Sequence, residues 1–280
     1  MSLLMSLFLG IVQGITEFLP VSSSGHLSIL QNVFKLGYSK EDNLLFEALL
    51  HLGTLVSICV VYRSEIGAMI SDGLEYIRMR GDPELDEPAV LKPSARELLF
   101  VIVGTIPLII ALIFSGSVER LFPKTGFIGF ALLITGGLLY VSDRYIKRGN
   151  KTEKTMTFMD AIIIGLAQAV ATLPGLSRSG TTISVGLARG LSGNFAVRFS
   201  LLLSIPAVFG AMIVSLFKAL RAGGSFEGFF VYFVGFIVAA VVGFFAIQFL
   251  RRLMAKGGFG NFAYYCWGVG ALAIILSIVV

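Results

Sequence analysis

The sequence predicts an all-α polytopic membrane protein with six transmembrane helices and two re-entrant helical hairpins in an inverted-topology repeat. Three observations carry this reading. The 280 residues are 56% hydrophobic and 14% charged, with a mean hydropathy of +0.87, whereas soluble domains carry about 25% charged residues. Several apolar runs are long enough to cross roughly 30 Å of hydrocarbon at 1.5 Å per residue. Two further apolar segments, 1–37 and 157–191, are each broken midway by Leu-Pro and a Ser/Gly cluster.

Taken in order, the chain opens on the first broken segment, which contains "FLPVSSSGHLSIL" at 18–30. Met1–Leu19 has neither a basic leading region nor a small-residue cleavage site, so it is expected to belong to the mature fold and not to a signal peptide. The first span, Leu44–Tyr62, carries Glu47 and His51. A connection at 63–96 leads to spans at Leu98–Phe114 and Thr125–Val141. After the basic segment 144–154 comes the second broken segment, then spans at Phe199–Phe217, Phe229–Leu250 and Phe262–Val280. Cys59 and Cys266 both lie in apolar runs and read as small buried hydrophobes with no disulfide. The net charge of +5 is a loop bias. No basic surface interleaved with aromatics appears, which excludes a nucleic-acid partner.

Lys and Arg mark cytoplasmic loops. Placing 144–154 ("RYIKRGNKTEK"), 251–256 ("RRLMAK") and 63–96 inside lets the six spans alternate without conflict. Segment 1–37 must then begin and end outside, and segment 157–191 must begin and end inside. Each is therefore expected to be a re-entrant hairpin, one from each face. The two also align: "GIVQGITEFLPVSSSG" (10–25) stands beside "GLAQAVATLPGLSRSG" (165–180), with one residue of slack before the proline. A single membrane domain, 1–280, thus divides into repeats at 1–143 and 157–280, each a hairpin followed by three spans. Broken helices of inverted repeats meet near the midplane and form a site, and irregular backbone at that depth must be buried or line a wet cavity.

The clusters have the chemistry of an anion cradle. Half-helices start just after Ser22-Ser23-Ser24-Gly25 and Ser177-Arg178-Ser179-Gly180, and helix N-termini offer free N–H groups to anions. Arg178 adds a planar fork that suits phosphate oxygens, and an arginine at that depth needs a reason. Close packing by small residues explains Ser28 and Ser184 equally well. Glu17 lies one turn after Gln13, on the same helix face. Its carboxylate could coordinate a divalent cation or orient His26, whose imidazole suits proton transfer near neutrality. Glu47 and His51 share a face of the first span and rank as weaker candidates, since structural hydrogen bonding explains them as well.

At these residues the chain resembles the bacitracin-resistance undecaprenyl-diphosphate phosphatase family, over essentially its whole length. The family's first motif, E/Q-x-x-x-E followed by a Pro-Val-Ser-Ser-Thr-Gly-His run, stands here as Gln13, Glu17 and "PVSSSGH", with Ser24 in place of threonine. The second, Pro-Gly-x-Ser-Arg-Ser-Gly-x-Thr, is intact from Pro174 to Thr182, and "FEALLHLGT" (46–54) follows the family with His51 where glutamine is common. The resemblance implies an integral plasma-membrane enzyme that removes the terminal phosphate of a C55 isoprenoid diphosphate, at the extracytoplasmic side, recycling the carrier for cell-wall synthesis. It implies a divalent cation, Mg²⁺ or Ca²⁺, with Glu17 and Gln13 as its ligands. The partner is the lipid substrate, and a homodimer is compatible with it. Of three candidate nucleophiles (Ser23, His26, or water activated by His26), Ser23 is favoured, with His26 taking its proton and Glu17 orienting the imidazole or the cation. Ser22, Ser24, Gly25, Ser177, Arg178, Ser179, Gly180 and Thr182 are then expected to bind phosphate.

Two other readings meet the same residues. Type-2 phosphatidic acid phosphatases also carry Ser-Gly-His and Ser-Arg, but they need a histidine after Ser-Arg, and the only histidines here, His26 and His51, precede Arg178. A transporter or flippase for polyprenyl phosphates would share the architecture and the cradle without cutting the bond.

Overall fold

The computed structural model describes residues 1–34, 40–81, 90–121, 125–145, 148–221 and 228–279, of which 31–34, 40–43, 81, 112–121 and 279 are described by their backbone alone. Among the described residues the protein is built from eleven α-helices and no strand, apart from an isolated bridge between Lys151 and Leu191. They are α1 (Leu3–Thr16), α2 (Ser23–Phe34), α3 (Lys40–Val61), α4 (Arg63–Gly81), α5 (Pro93–Leu121), α6 (Thr125–Ser142), α7 (Phe158–Val170), α8 (Arg178–Ala188), α9 (Gly193–Arg221), α10 (Phe229–Lys256) and α11 (Phe262–Val279). Six of them are long and apolar enough to cross a membrane: α3, α5, α6, α9, α10 and α11. These are the six expected spans, although α9 starts earlier, at Gly193, and α10 runs on to Lys256.

Each broken segment is a pair of short helices joined by a turn, α1–α2 and α7–α8. The stretch 35–37 of the first lies outside the described residues. Helix α4 falls in what reads as a connection. Ile66, Met69, Ile70, Leu74 and Ile77 recur at helical spacing and give it one apolar side. Part of that side, Ile66 and Met69, packs into the core, while Ile70, Leu74 and Ile77 remain exposed. Cys266 is buried as expected, but Cys59 lies exposed on the outer face of α3, and both are free thiols.

Packing follows small residues. α1 lies against α10, α5 against α7, α6 against α11, and α3 against both α9 and α10. A Cβ on Gly10 would stand 2.8 Å from the Gly235 carbonyl, and one on Gly129 would stand 2.6 Å from that of Gly270. Without a hydrophobic drive between helices in lipid, such backbone approach is the main source of helix association.

Charge gathers at one end. Asp160, fully buried at the start of α7, forms a capping box with Thr157 and accepts from Lys151 Nζ and Arg189 Nε, each at 2.8 Å. Both its oxygens are occupied, so it pins the two ends of the α7–α8 pair to the preceding loop. Nearby, Arg198 of α9 holds Glu97 of α5 through two hydrogen bonds and Glu153 through a third.

The α6–α11 contact supplies a direct check. Gly129→Leu must push the helices apart and is expected to cost about 1–3 kcal/mol through overpacking. Gly137→Leu, on the same helix with nothing within 4 Å of its Cβ position, should leave the thermal midpoint in detergent unchanged.

Candidate active site

The two turns meet. Ser179 Oγ donates to the Leu19 carbonyl at 3.3 Å, and Gly25 packs against Gly175, 3.5 Å from its would-be Cβ to the Gly175 Cα. Both half-helices start in the same way. Ser22 Oγ accepts the Gly25 N–H at 3.2 Å and lies 3.4 Å from Ser24 Oγ. Ser177 Oγ accepts the Gly180 N–H at 3.1 Å and lies 3.3 Å from Ser179 Oγ. These are N-caps, which satisfy one of the orphan donors of each helix. Ser22 is buried and has φ +70, an uncommon backbone for a residue with a side chain. Ser22, Ser177 and Ser179 are thus occupied in building the turns, although Ser22 and Ser177 still edge the cavity.

The residue just after each capping serine reaches the same carboxylate. Ser23 Oγ donates to Glu17 Oε2 at 2.6 Å, and Arg178 Nη2 donates to Glu17 Oε1 at 2.5 Å. Gln13 Nε2 adds a third donor to Oε2 at 3.0 Å, and His51 Nε2 lies 4.0 Å from it. Glu17 is 6% exposed, so this pairing is what allows a carboxylate to sit in the protein interior. Glu17, Ser23, Arg178 and His51 line a cavity of about 310 Å³, together with Ser24, Thr172 and Gln168 and with Ser215 and Lys218 of α9. Among the described residues its wall carries two cations, Arg178 and Lys218, against one acid, Glu17, a balance that favours an anionic guest. Lys218 and Ser215 escape a reading by motif. They lie at the end of an apolar span, and only the helix crossing brings them here.

The structure does not bring His26 to Ser23. Its Nδ1 lies 2.8 Å from the Ser22 carbonyl and must donate to it, and its Nε2 lies 2.8 Å from the Tyr265 hydroxyl. The ring stacks on Tyr265 with an interplanar angle of 6°. Both nitrogens are therefore engaged away from the cavity, and Glu17 does not orient this imidazole. The imidazole on the cavity wall is His51, whose Nδ1 donates to the Glu47 carbonyl at 2.8 Å, turning Nε2 toward Glu17. Thr182 is likewise drawn away: its hydroxyl bonds Ser200 Oγ at 2.5 Å and the Arg178 carbonyl at 2.9 Å, fastening α8 to α9. Gly25 and Gly180 act as close-packing residues at the caps. Gln13 is fully buried and off the cavity wall, and its Oε1 has no hydrogen-bond partner among the described residues.

This donor set does not fit a resident divalent cation. Among the described residues no three His, Cys, Asp or Glu side chains come together in a way that could hold a metal ion. Among the described residues Glu17 is the one carboxylate on the wall, and both its oxygens already accept hydrogen bonds, one of them from a guanidinium. Hard cations instead require several oxygen ligands.

The chain is similar throughout its length to known proteins. It is 41% identical to an undecaprenyl-diphosphatase of Carboxydothermus hydrogenoformans over 97% of this chain and 96% of the relative. It is 40% identical to one from Methanobrevibacter smithii over 99% of each chain, and 38% identical to one from Halothermothrix orenii over 97% and 96%. The family model for the bacitracin resistance protein BacA matches residues 6–272, which takes in every helix that builds the cavity. With its two capped half-helices joined through Glu17, this chain belongs to the bacitracin resistance protein BacA family.

Proposed function

We propose that this protein hydrolyses undecaprenyl diphosphate to undecaprenyl phosphate and inorganic phosphate, the activity its relatives are named for, in the cavity between the two capped turns. The observation that carries the proposal is the convergence of Ser23 and Arg178, each at the first position of a half-helix, on Glu17. A hydroxyl, a guanidinium, two helix N-termini and a carboxylate in hydrogen-bond contact with the hydroxyl are the parts that phosphoryl transfer requires.

In this reading the terminal phosphate enters against Arg178 and the N–H groups of α2 and α8, taking a share of the guanidinium from Glu17. Ser23 Oγ attacks the terminal phosphorus. The O–P bond to serine forms as the bridging P–O bond breaks, and undecaprenyl phosphate departs. The serine proton passes to Glu17 Oε2, with which it already shares a hydrogen bond, so Glu17 takes the role of base that the motif alone suggests for His26. Water then attacks the phosphoserine: the P–O bond to Ser23 breaks, Glu17 returns its proton to the departing Ser23 Oγ, and the proton of the attacking water leaves with inorganic phosphate. His26 holds the turn that carries Ser23. Arg178 and Lys218 offset the charge of the two phosphates. A divalent cation would have to be held by the substrate's own phosphate oxygens, where it would offset their charge, since Glu17 is already committed to Gln13, Ser23 and Arg178.

The same reading makes the chain a multi-pass protein of the bacterial plasma membrane, built as an inverted repeat. The paired packing of α1 with α10 and of α7 with α5, and the matching Ser22 and Ser177 caps, support the repeat. The basic segments at 144–154 and 251–256 support an inside location for that end, so the cavity opens outward. The product re-enters cell-wall synthesis, and a part in bacitracin resistance is implied by the name of the family.

Purified protein in detergent, with no gradient, should release inorganic phosphate from undecaprenyl diphosphate. Binding without release would favour a carrier. Arg178→Lys keeps the charge but loses the fork, and kcat should fall about 10²–10³-fold, as for loss of one oxyanion donor.

Removal of the nucleophile should be more severe. Ser23→Ala is expected to lower kcat by at least about 10³-fold, and Glu17→Gln should do the same, because the amide cannot accept the proton. A phosphoenzyme trapped by acid quench in the wild type and absent from Ser23→Ala would establish the serine. Wild-type protein that never carries phosphate would point to direct attack by water.

Access tests the orientation. In a cysteine-free background, Ser215→Cys should react with an impermeant thiol reagent added outside intact cells, and undecaprenyl diphosphate should slow that labelling. Reaction from the cytoplasmic side alone would overturn the outward-facing cavity.

A further inference from the structure

The polar cavity is closed on one side by α5 and α9, through Leu108, Ala207 and Val208. Directly behind that wall lies a groove of about 420 Å³, aliphatic nearly throughout, lined by Ile66 and Met69 of α4, Ile102 and Ile106 of α5, and Leu202 and Ile205 of α9. Thr105 also lines it, its hydroxyl turned back to donate to the Val101 carbonyl at 2.7 Å. Groove and cavity share one turn of each helix: Ile106 and Ile109 line the groove while Leu108 lines the cavity, and Ile205 and Pro206 line the groove while Ala207 and Val208 line the cavity. At this level each helix carries its internal proline, Pro107 in α5 and Pro206 in α9, which interrupts the backbone ladder there. The outer wall of the groove is α4, a helix with no partner between α9 and α10 among the described residues.

We propose that this α4–α5–α9 groove seats the isoprenoid chain of the substrate, the part next to the diphosphate leaving the cavity through the α5–α9 seam. The inference rests on the phosphatase reading and names where the rest of its substrate lies. A diphosphate anchored in the cavity must send its chain out through some wall, and this wall has an apolar channel already formed behind it. Lipid tails are as apolar as the groove, so burial alone does not select the occupant. Selection comes from packing of the chain's methyl branches against the isoleucine side chains, and from the tether to the bound headgroup.

The test places a photoreactive benzoyl-phenylalanine at Ile102 of the full-length protein in phospholipid vesicles. Controls at Phe130 and Phe245 are similarly lipid-facing, with exposures of 52%, 57% and 64% respectively. Radiolabelled undecaprenyl diphosphate should crosslink several-fold more at 102 than at either control, and excess unlabelled substrate should abolish the difference. Equal labelling at all three positions, or capture of phospholipid at 102 that substrate does not displace, would overturn the proposal. In addition, Ile106→Trp should raise KM for undecaprenyl diphosphate several-fold with kcat nearly unchanged, and an unaltered KM would count against the groove. Failure of the wild type to release phosphate would strike the phosphatase reading instead, and crosslinking at 102 would still report on the groove.

Discussion

A carboxylate cannot be buried among helices without partners, and the arrangement of this protein's centre turns on how Glu17 finds them. Its two oxygens accept from Ser23, Gln13 and Arg178, so one acidic side chain joins the first broken helix pair to the second. Breaking such a pair by deleting one partner leaves a buried, uncompensated charge, which is far costlier than the pair is stabilising. The contact therefore does two things together. It specifies how α1–α2 and α7–α8 face one another, and it sets a hydroxyl and a guanidinium on either side of a single carboxylate.

That contact is possible because the surrounding helices come close. Glycine and alanine at the α1–α10, α5–α7 and α6–α11 contacts bring backbones together where larger residues would separate them. The turns can then be held by hydrogen bonds from neighbouring spans: Thr135 of α6 accepts the Ser177 N–H at 3.2 Å, and Cys266 of α11 reaches the Pro20 carbonyl at 3.4 Å. Irregular backbone is thereby satisfied inside the protein, as a lipid-surrounded fold requires. The charged clusters around Asp160 and Arg198 perform the complementary task at the basic end.

Much of this is legible in the sequence, because the signals are local. The six spans follow from hydropathy alone, and the two breaks follow from Leu-Pro beside Ser and Gly. Glu17, Ser23 and Arg178 follow from the motifs that hold them. What depends on helix rotation and crossing is not legible in this way. Whether His26 or His51 faces the cavity is decided by the side of each helix that meets its neighbours, and Tyr265, 239 positions from His26, decides one of them. The spacing of motif residues cannot separate a hydroxyl that lines a cavity, as in Ser24, from one that fastens helices, as in Thr182. Lys218 and Ser215 carry no motif at all. Helix α4 was readable by its periodicity, but its charges disguise it as a loop.

Ser22 gives the site a further property. Its left-handed backbone, φ +70, is one that a side-chain-bearing residue occupies at a cost on the order of 1–3 kcal/mol. In the matching turn a glycine, Gly175 with φ +90, takes the left-handed position before the capping serine. In the first turn the capping serine occupies it itself, which sets Ser23 on a tight corner, its hydroxyl already directed at Glu17. The position of this hydroxyl is built during folding, at the expense of local stability, so the free energy of ligand binding in the cavity need not be spent on arranging it. A corner of this kind is preorganised in the sense that applies to rigid catalysts: its reorganisation has been completed before the first molecule of lipid arrives.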